Sequence, residues 1–413
     1  MALADTQQDK DTGLELEGFL GSFQQDSLVQ AVTTLLKAGK PCQLKGLTGS
    51  MDAIVAAIAS KQMPSANMVF VLHDYEEASY FFNDLQNLLP GKEIRFFPSS
   101  YKKPYRFEEV ENANVLLRAE VLNSLNTRTA SGELVITYPD ALTEKVINKR
   151  SLLENTFSAK VGERLDMDFL IELLREYDFE KEDFVYEAGQ YAVRGGILDI
   201  FSYAHELPYR LELFGDEIEN IRTFDPLTQL SVEEKQYASI IPNVQNKLLQ
   251  EVRESVFEFI ADTTVLWFKD IQATKDILDK YFTSAAQDFE QILKVSGNTQ
   301  VVKQPSDLFE SASSFKSSIK PFTKVEFGNR FYLGGQTDRV EFSVKPQPSF
   351  QKNFNLLVED LDQKDLSGYQ TVFVAGAQKQ LNRIRTILEE IDPQLNYQEL
   401  NIALRSGFVD EGS

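Results

Sequence analysis

Apolar and polar residues alternate with a period of two along Ala188–Pro226, a pattern that predicts β-strands. The strand-like runs are Gln190–Arg194, Ile197–Phe201, Tyr209–Phe214 and Ile218–Thr223. Gly-Gly connects the first two runs and Gly-Asp connects the last two. Glycine in such short connections is typical of hairpin turns, because it readily adopts positive φ. We therefore predict two β-hairpins in this stretch.

The third run, Tyr209–Phe214, has one apolar face and one mixed face. Successive side chains point to opposite sides of a strand, so its tyrosine and two leucines are predicted to face the core. The other side then presents Arg210 and Phe214, with Arg194 on a neighbouring strand. An exposed aromatic residue beside arginines is the composition of a protein-binding hot spot. The alternative is that another domain buries Phe214 and that both arginines are ordinary solvated charges.

The first 150 residues follow a different pattern, in which short apolar strands alternate with amphipathic helices. Such alternation predicts an α/β domain with a parallel sheet. The predicted strands are Pro41–Leu44, Met68–Leu72, Glu93–Phe97 and Leu134–Thr137, and the predicted helices are Asp26–Lys37, Asp74–Leu89, Glu109–Asn126 and Ala141–Ile147.

The strand–loop–helix stretch that begins at Gly46 reads GLTGSMDA and has the layout of a phosphate-binding loop. Gly46, Gly49 and Ser50 fit that loop. Asp52 stands where a lysine would contact the β- and γ-phosphates, and Ala53 stands where a hydroxyl would ligate magnesium. An anion in place of the cation repels phosphate. We therefore expect a degenerate loop that binds no ATP.

Composition narrows the possible functions further. The net charge is −21, from 42 basic and 63 acidic residues, and so acidic a chain has no general attraction to nucleic acid. One cysteine excludes internal disulfides, and two histidines leave little for a metal site. The polar start and the short apolar runs predict neither a signal peptide nor a membrane span. We expect a cytoplasmic monomer with no cofactor, metal or catalytic residue of its own.

Beyond residue 242 the pattern again mixes helices and strands. Helices are predicted at Val244–Ala261, Ile271–Leu293, Asn353–Asp362 and Gln378–Ile391, and strands at Thr264–Phe268, Lys324–Phe327, Arg330–Leu333, Thr371–Ala375 and Tyr397–Ala403. Ser296–Ser318 is polar and predicted to be a loop. Pro346 and Pro348 indicate a linker before a small α/β domain.

The segments RGGILDIF, ELPYRLELFGDEIE and IRTFDPLTQ resemble the second domain of the bacterial transcription-repair coupling factor family (Mfd), whose amino-terminal module is shared with the excision-repair protein UvrB. The resemblance continues more weakly over most of the chain. It implies a degenerate RecA-like, UvrB-type helicase domain with an inserted α+β UvrA-binding domain, followed by a small α/β domain. The implied boundaries are 1–153 and 243–342 for the two parts of the first domain, 154–242 for the insertion and 343–413 for the last domain.

In these relatives the inserted domain binds the damage-recognition ATPase UvrA, and the matching positions here are Arg194, Arg210 and Phe214. Each alanine replacement is expected to weaken UvrA binding by about 1–3 kcal/mol with little change in melting temperature. UvrB also clamps DNA with a tyrosine-rich hairpin after the strand that matches Glu93–Phe97. Here Tyr101–Tyr105 is too short for that hairpin.

The resemblance favours a non-catalytic adaptor that recruits UvrA to a stalled RNA polymerase. ATPase and translocase activity, and contacts with RNA polymerase and DNA, are then expected only in domains beyond residue 413. The alternative is a UvrB-type ATP-dependent helicase subunit, which requires the intact phosphate loop and the hairpin that this sequence lacks. A scaffold protein unrelated to repair is a third hypothesis, disfavoured by the length of the match.

Overall fold

The structure is a computed structural model that describes residues 13–100, 103–105, 112–127, 132–147, 156–203, 205, 207–241, 252–296, 303–335 and 337–412. The strands are β1 Cys42–Lys45, β2 Met68–Val71, β3 Ile94–Phe97, β4 Leu134–Thr137, β5 Val146–Ile147, β6 Phe157–Lys160, β7 Glu180–Lys181, β8 Gln190–Arg194, β9 Ile197–Ile200, β10 Tyr209–Phe214, β11 Glu217–Phe224, β12 Ser231–Lys235, β13 Tyr237–Ile240, β14 Arg253–Glu254, β15 Val265–Phe268, β16 Thr323–Glu326, β17 Asp338–Glu341, β18 Val344–Pro346, β19 Val372–Val374, β20 Gln398–Leu400 and β21 Phe408–Asp410. The helices are α1 Leu16–Gln24, α2 Ser27–Lys37, α3 Met51–Gln62, α4 Tyr75–Leu88, α5 Asn112–Thr127, α6 Pro139–Leu142, α7 Met167–Glu176, α8 Ile271–Ser296, α9 Pro305–Leu308, α10 Ala312–Ser318, α11 Phe354–Leu366 and α12 Gln378–Ile391.

The described residues divide into two compact units. The first holds the chain up to Pro64, Ser79–Ile94 and everything from Thr323 onward; the second holds Ser65–Ala78 and Arg95–Phe322. This division differs from the four domains predicted from the sequence, whose boundaries stay a prediction.

In the first unit, β1 lies between β16 and β17 and pairs in parallel with both. The helix α3 follows β1 directly. Its first ten residues, Met51–Ser60, are all buried, as expected for a helix that is apolar on every side. The helix α2, which precedes β1, is capped at its N-terminus by Asp26, whose carboxylate accepts hydrogen bonds from the backbone N–H of Leu28 and Val29 at 2.7 and 3.0 Å. Such capping satisfies N–H groups that have no partner within the helix.

The second unit contains strands in the order β15-β2-β4-β3, in which β2 pairs in parallel with both β15 and β4. The short strand β5 precedes the inserted domain in the chain and the short strand β14 follows it. These two strands pair with each other, Val146 with Glu254 and Ile147 with Arg253. Between them lies a domain with a six-stranded sheet in the order β12-β11-β10-β9-β8-β7. The prediction of an α/β fold with an inserted α+β domain is therefore confirmed.

The inserted domain packs α7 against one face of its six-stranded sheet. Leu170 and Leu174 of α7 are buried with Leu198 of β9 and Leu211 of β10 in one apolar cluster. Tyr209 lies in the same cluster, and Leu213 packs against it half-buried. The face of β10 predicted from alternation to be the core face is therefore the core face.

The prediction of a helix at Val244–Ala261 is wrong for its described part. Residues 252–261 form β14 and a short 3-10 turn at Val256–Glu258, and the residues before 252 lie outside the described part. The predicted helix Ala141–Ile147 also ends early, at Leu142, where the chain continues to β5. Both errors have one cause, since pairing between β5 and β14 overrides weak local helix propensity.

The predicted strand Arg330–Leu333 is not a strand either. The buried carboxylate of Glu326 accepts hydrogen bonds from the backbone N–H of Tyr332 at 2.7 Å and Leu333 at 3.0 Å, which holds this stretch in an irregular loop. Within Ser296–Ser318, predicted to be a loop, the helices α9 and α10 form.

Candidate partner-binding face

The three residues predicted to bind a partner lie on adjacent strands of the inserted domain. Arg194 is the last residue of β8, and Arg210 and Phe214 lie on β10. The strand β9 runs between them and is antiparallel to both. Its Asp199 is opposite Arg210 on one side and opposite Ala192 on the other. Arg194 lies two residues beyond Ala192, so all these side chains emerge on the sheet face opposite α7.

The turn between β8 and β9 lies against the end of β10. The backbone N–H of Leu213 donates to the carbonyl of Gly196 at 2.8 Å. A Cβ atom on Gly196 would lie only 2.6 Å from the carbonyl oxygen of Leu213, so this close approach requires glycine. The contact brings the turn that follows Arg194 beside Phe214.

Phe214 stands at the tip of the hairpin between β10 and β11, and 81% of its surface is exposed. The hairpin turns at Gly215, whose φ is +67°. Leu213, one residue earlier, points to the core face, so the alternation of β10 sends the phenylalanine ring outward. The alternative that another part of the chain buries this ring is therefore wrong for the described residues.

Asp199 holds both arginines of this face. Its carboxylate is fully buried and accepts from Arg210 Nε at 2.6 Å and Arg210 Nη2 at 2.8 Å. Arg194 Nη2 donates to the Oδ2 atom of the same carboxylate. The hydrogen bond and the charge of Asp199 outweigh burial and raise the pKa of Arg210. Neither arginine is the ordinary solvated charge of the alternative interpretation, because both are hydrogen bonded to Asp199.

The two arginines differ in how much of each side chain reaches water. The Arg210 side chain is only 12% exposed, and its guanidinium lies 4.3 Å from the centre of the Phe224 ring. The Arg194 side chain is 35% exposed. Its Nη1 donates to the carbonyl of Asp183 at 3.0 Å, and its guanidinium lies 5.1 Å from the Phe184 ring.

A loop that follows β11 covers Arg210. Its Gln229 accepts from Arg210 Nη1 through the backbone carbonyl at 3.3 Å and donates from Nε2 to the carbonyl of Val185 at 3.3 Å. The loop is shaped by Asp225, whose carboxylate accepts from the backbone N–H of Leu227 at 2.9 Å. Leu227 and Leu230 on this loop are exposed, which adds apolar surface to the domain.

The sequence analysis predicted Phe214 and the two arginines as residues of this face but not Asp199, which contacts both arginines. A signal was present, because Asp199 is a single carboxylate between Leu198 and Ile200 in an otherwise apolar strand. The antiparallel order of β9 and β10 places that carboxylate opposite Arg210. Leu227 and Leu230 had no such signal, since exposed leucines occur on most proteins.

The degenerate phosphate loop is filled by the chain itself. The backbone N–H of Ser50 donates to the carbonyl of Ser406 at 3.0 Å, and the N–H of Ser406 donates back to Ser50 Oγ at 3.1 Å. Gly49 has a φ of +61°, and a Cβ atom there would lie 2.8 Å from the carbonyl oxygen of Gly407. Gly46 has a φ of +83° and lies against the backbone of Phe342.

Two carboxylates lie next to this loop. Asp84 accepts from Ser50 Oγ at 2.6 Å and from the backbone N–H of Arg405 at 2.7 Å. Burial raises the pKa of Asp84, the two hydrogen bonds lower it in part, and the negative charge of Asp52 raises it further. Asp52 is buried in the first turn of α3, where the helix dipole favours an anion. Two carboxylates therefore lie beside the loop, and the charge of Arg405 offsets them in part.

Among the described residues, no group of three or more His, Cys, Asp or Glu side chains is arranged to hold a metal ion. No helix in the described part of the chain is both long and apolar enough to span a bilayer.

Comparison with known proteins identifies the inserted domain. Residues 157–245 match the UvrB interaction domain family. The chain is 31% identical over 237 residues to the transcription-repair-coupling factor of Myxococcus xanthus, covering 55% of this chain and 20% of that protein. It is 24% identical over 292 residues to the Bacillus subtilis (strain 168) protein of the same name, covering 70% of this chain and 24% of that protein.

UvrB proteins match as well. The UvrABC system protein B of Methanosarcina mazei is 23% identical over 250 residues, or 58% of this chain and 37% of that protein. The chain spans about a fifth to a quarter of the length of the two coupling factors above. Residues 157–245 are therefore similar to UvrB interaction domains, and the chain is similar to transcription-repair-coupling factors and to UvrB proteins.

Proposed function

We propose that this UvrB-like chain is a non-catalytic adaptor that binds UvrA through the face carrying Arg194, Arg210 and Phe214. Its role is to recruit UvrA, and with it nucleotide excision repair, to a stalled RNA polymerase. Contacts with RNA polymerase and DNA are assigned to parts of coupling factors that this chain does not span. The observation that carries the proposal is Phe214, 81% exposed at the tip of a hairpin in the UvrB interaction domain.

The chemistry of the face supports a protein partner. An exposed aromatic ring and an arginine on the same face of a domain are the kinds of residue that contribute most to protein interfaces. Of the sixteen large apolar side chains that are exposed in the described part of the chain, eight lie between Phe169 and Tyr237. Exposed apolar side chains concentrated on one domain are typical of a surface that another protein covers.

The competing helicase function is disfavoured by the state of the phosphate loop. A bound nucleotide needs backbone N–H groups and a cation at this loop. Here the N–H of Ser50 is already hydrogen bonded to Ser406, and Asp52 and Asp84 contribute negative charge. Binding of ATP would require the Arg405–Gly407 segment to leave and phosphate to approach two carboxylates.

The proposal is tested by measuring the affinity of the chain for purified UvrA. Replacement of Phe214 or Arg194 by alanine is expected to weaken binding by about 1–3 kcal/mol, or roughly 5- to 150-fold in Kd. Leu366→Ala is the matched control, because Leu366 is 88% exposed but lies on α11, outside the inserted domain. Wild-type affinity in both the Phe214 and Arg194 variants would refute this assignment of the face.

A further inference from the structure

We propose that Asp199 is the positioning residue of the UvrA-binding face, and that Arg194 and Phe214 contact the partner while Arg210 acts through Asp199. The partner then presents an acidic group to Arg194 beside an apolar pocket for the Phe214 ring. The inference rests on the proposed function, since it assigns roles within the same face.

The first step is the geometry at Asp199. Both carboxylate oxygens are used, Oδ1 by Arg210 Nε at 2.6 Å and Oδ2 by Arg210 Nη2 at 2.8 Å, with Arg194 Nη2 sharing Oδ2. A two-point contact between a guanidinium and a carboxylate fixes the orientation of both groups. A fully buried carboxylate is tolerated only when it is paired and hydrogen bonded, and these contacts meet that requirement.

The second step is that Arg210 has little left to offer a partner. Besides its two contacts with Asp199, its Nη1 and Nη2 atoms face the backbone and side-chain oxygens of Gln229 at 3.3 and 3.4 Å. One face of the guanidinium lies over Phe224. The contacts of Arg210 therefore lie inside the domain. They fix the Asp199 carboxylate, to which Arg194 is also hydrogen bonded.

Arg194 is placed differently. Its contacts within the described residues use Nη1 and Nη2 once each, out of five N–H donors in a guanidinium. The remaining donors belong to a side chain that is 35% exposed and whose following turn touches the strand end that carries Phe214. Arg194 is thus the arginine whose donors can reach a partner.

The charge of this cluster specifies the partner's chemistry. Two arginines share one aspartate, which leaves a net charge of about +1 at the cluster in a chain whose net charge is −21. Opposite charges across an interface favour association. A carboxylate on the partner is the complement of a guanidinium held in a fixed orientation.

The test is a double-mutant cycle with purified UvrA, using Asp199→Asn, Arg194→Ala and the double variant. We expect Asp199→Asn to weaken binding about tenfold when Arg194 is present and by less than about threefold when it is absent, because the loss acts through Arg194. Glu399→Gln is the matched control. Glu399 is a buried carboxylate paired with Arg385 far along the chain, and this variant should keep wild-type affinity.

A purely structural role for Asp199 would give the same fold loss with and without Arg194, and that result would overturn the inference. If Asp199→Asn does not fold, Arg210→Gln replaces it in the same cycle with the same expected coupling. Raising the salt concentration should weaken wild-type binding and weaken Arg194→Ala binding less. Equal salt dependence of the two proteins would overturn the acidic-partner assignment.

The failure of this inference differs from the failure of the proposed function. If UvrA does not use this face, Phe214→Ala and Arg194→Ala both bind as wild type. If only the role of Asp199 is wrong, those two variants bind weakly while Asp199→Asn binds normally or adds independently to Arg194→Ala.

Discussion

At the scale of single residues, burial separates two side chains that the sequence placed on one strand face. Phe214 and Arg210 are four positions apart on β10, yet the ring is 81% exposed and the guanidinium side chain is 12% exposed. The cause is Asp199 on the neighbouring strand, which draws the arginine onto the sheet. Alternation along a strand determines the face of the sheet on which a side chain lies. The exposed fraction of that side chain depends also on the hydrogen-bond partners that the neighbouring strand provides.

This difference changes the stability expected for Arg210→Ala. The sequence alone predicted little effect on melting temperature, but the variant leaves the buried Asp199 with Arg194 as its remaining ion-pair partner. We expect a loss of about 2–3 kcal/mol in the free energy of unfolding, less than the roughly 3–5 kcal/mol lost when a buried charge is left without any partner. Urea denaturation at pH 7 measures it.

Arg222→Ala is the comparison for that measurement. Arg222 pairs with Glu212, and both side chains are more than a fifth exposed, so its loss should be about 1 kcal/mol or less. Equal losses of unfolding free energy in the Arg210 and Arg222 variants would contradict the claim that burial of Asp199 makes the loss of Arg210 more costly. Phe214→Ala should leave the unfolding free energy nearly unchanged, because its exposed ring has little contact to lose.

At the scale of elements, the sequence predicted well wherever local pattern and tertiary context agree. The helix α12 has the predicted bounds, Gln378–Ile391, and the strands β8 to β11 lie within a residue or two of the four predicted runs. The strands β7, β12 and β13 of the same domain were not predicted. The errors fall where a long-range partner decides the structure. Examples are β14, which forms because β5 is beside it, and the loop that Glu326 holds around Tyr332.

The candidate site divides in the same way. Strand alternation predicted the outward Phe214, since that requires only local geometry. The contact that Arg194 and Arg210 share with Asp199 depends on the register between β8, β9 and β10. The connection from β8 to β9 and the connection from β9 to β10 set that register together. The return of Arg405–Gly407 to the phosphate loop spans more than 350 residues of sequence, as in the contact from Ser406 to Ser50, and no local pattern indicates it.

The phosphate loop carries a prediction at this scale. Calorimetric titration of the chain with Mg-ATP should give no heat of binding, because Ser406 occupies a backbone donor of the loop and Asp52 replaces the phosphate-binding lysine. A micromolar affinity would contradict this and favour the helicase hypothesis. Asp52→Lys is a useful second protein, since it restores the cation but leaves Arg405–Gly407 in place. We expect the Asp52→Lys variant to give no heat of binding with Mg-ATP either.

At the scale of the whole molecule, the charge balance sets which partners approach easily. With 63 acidic and 42 basic residues, the chain repels phosphate backbones at long range. The cluster of Arg194, Arg210 and Asp199 is a local exception with a small positive charge. A protein partner with one acidic group can bind at this cluster through a local contact. A DNA duplex is instead repelled at long range by the net negative charge of the whole chain.

This difference leads to a prediction about nucleic acid. Fluorescence anisotropy with a short DNA duplex at about 0.15 M salt should give a Kd no tighter than the roughly 10⁻⁴ M at the weak end of non-specific binding. Lowering the salt should bring only a small gain, because few phosphate contacts form and few counterions are released. A micromolar Kd that falls steeply as salt is removed would contradict the expectation. Lys103→Glu would then test the stretch at Tyr101–Tyr105, because a real DNA contact there should lose affinity when its charge is reversed.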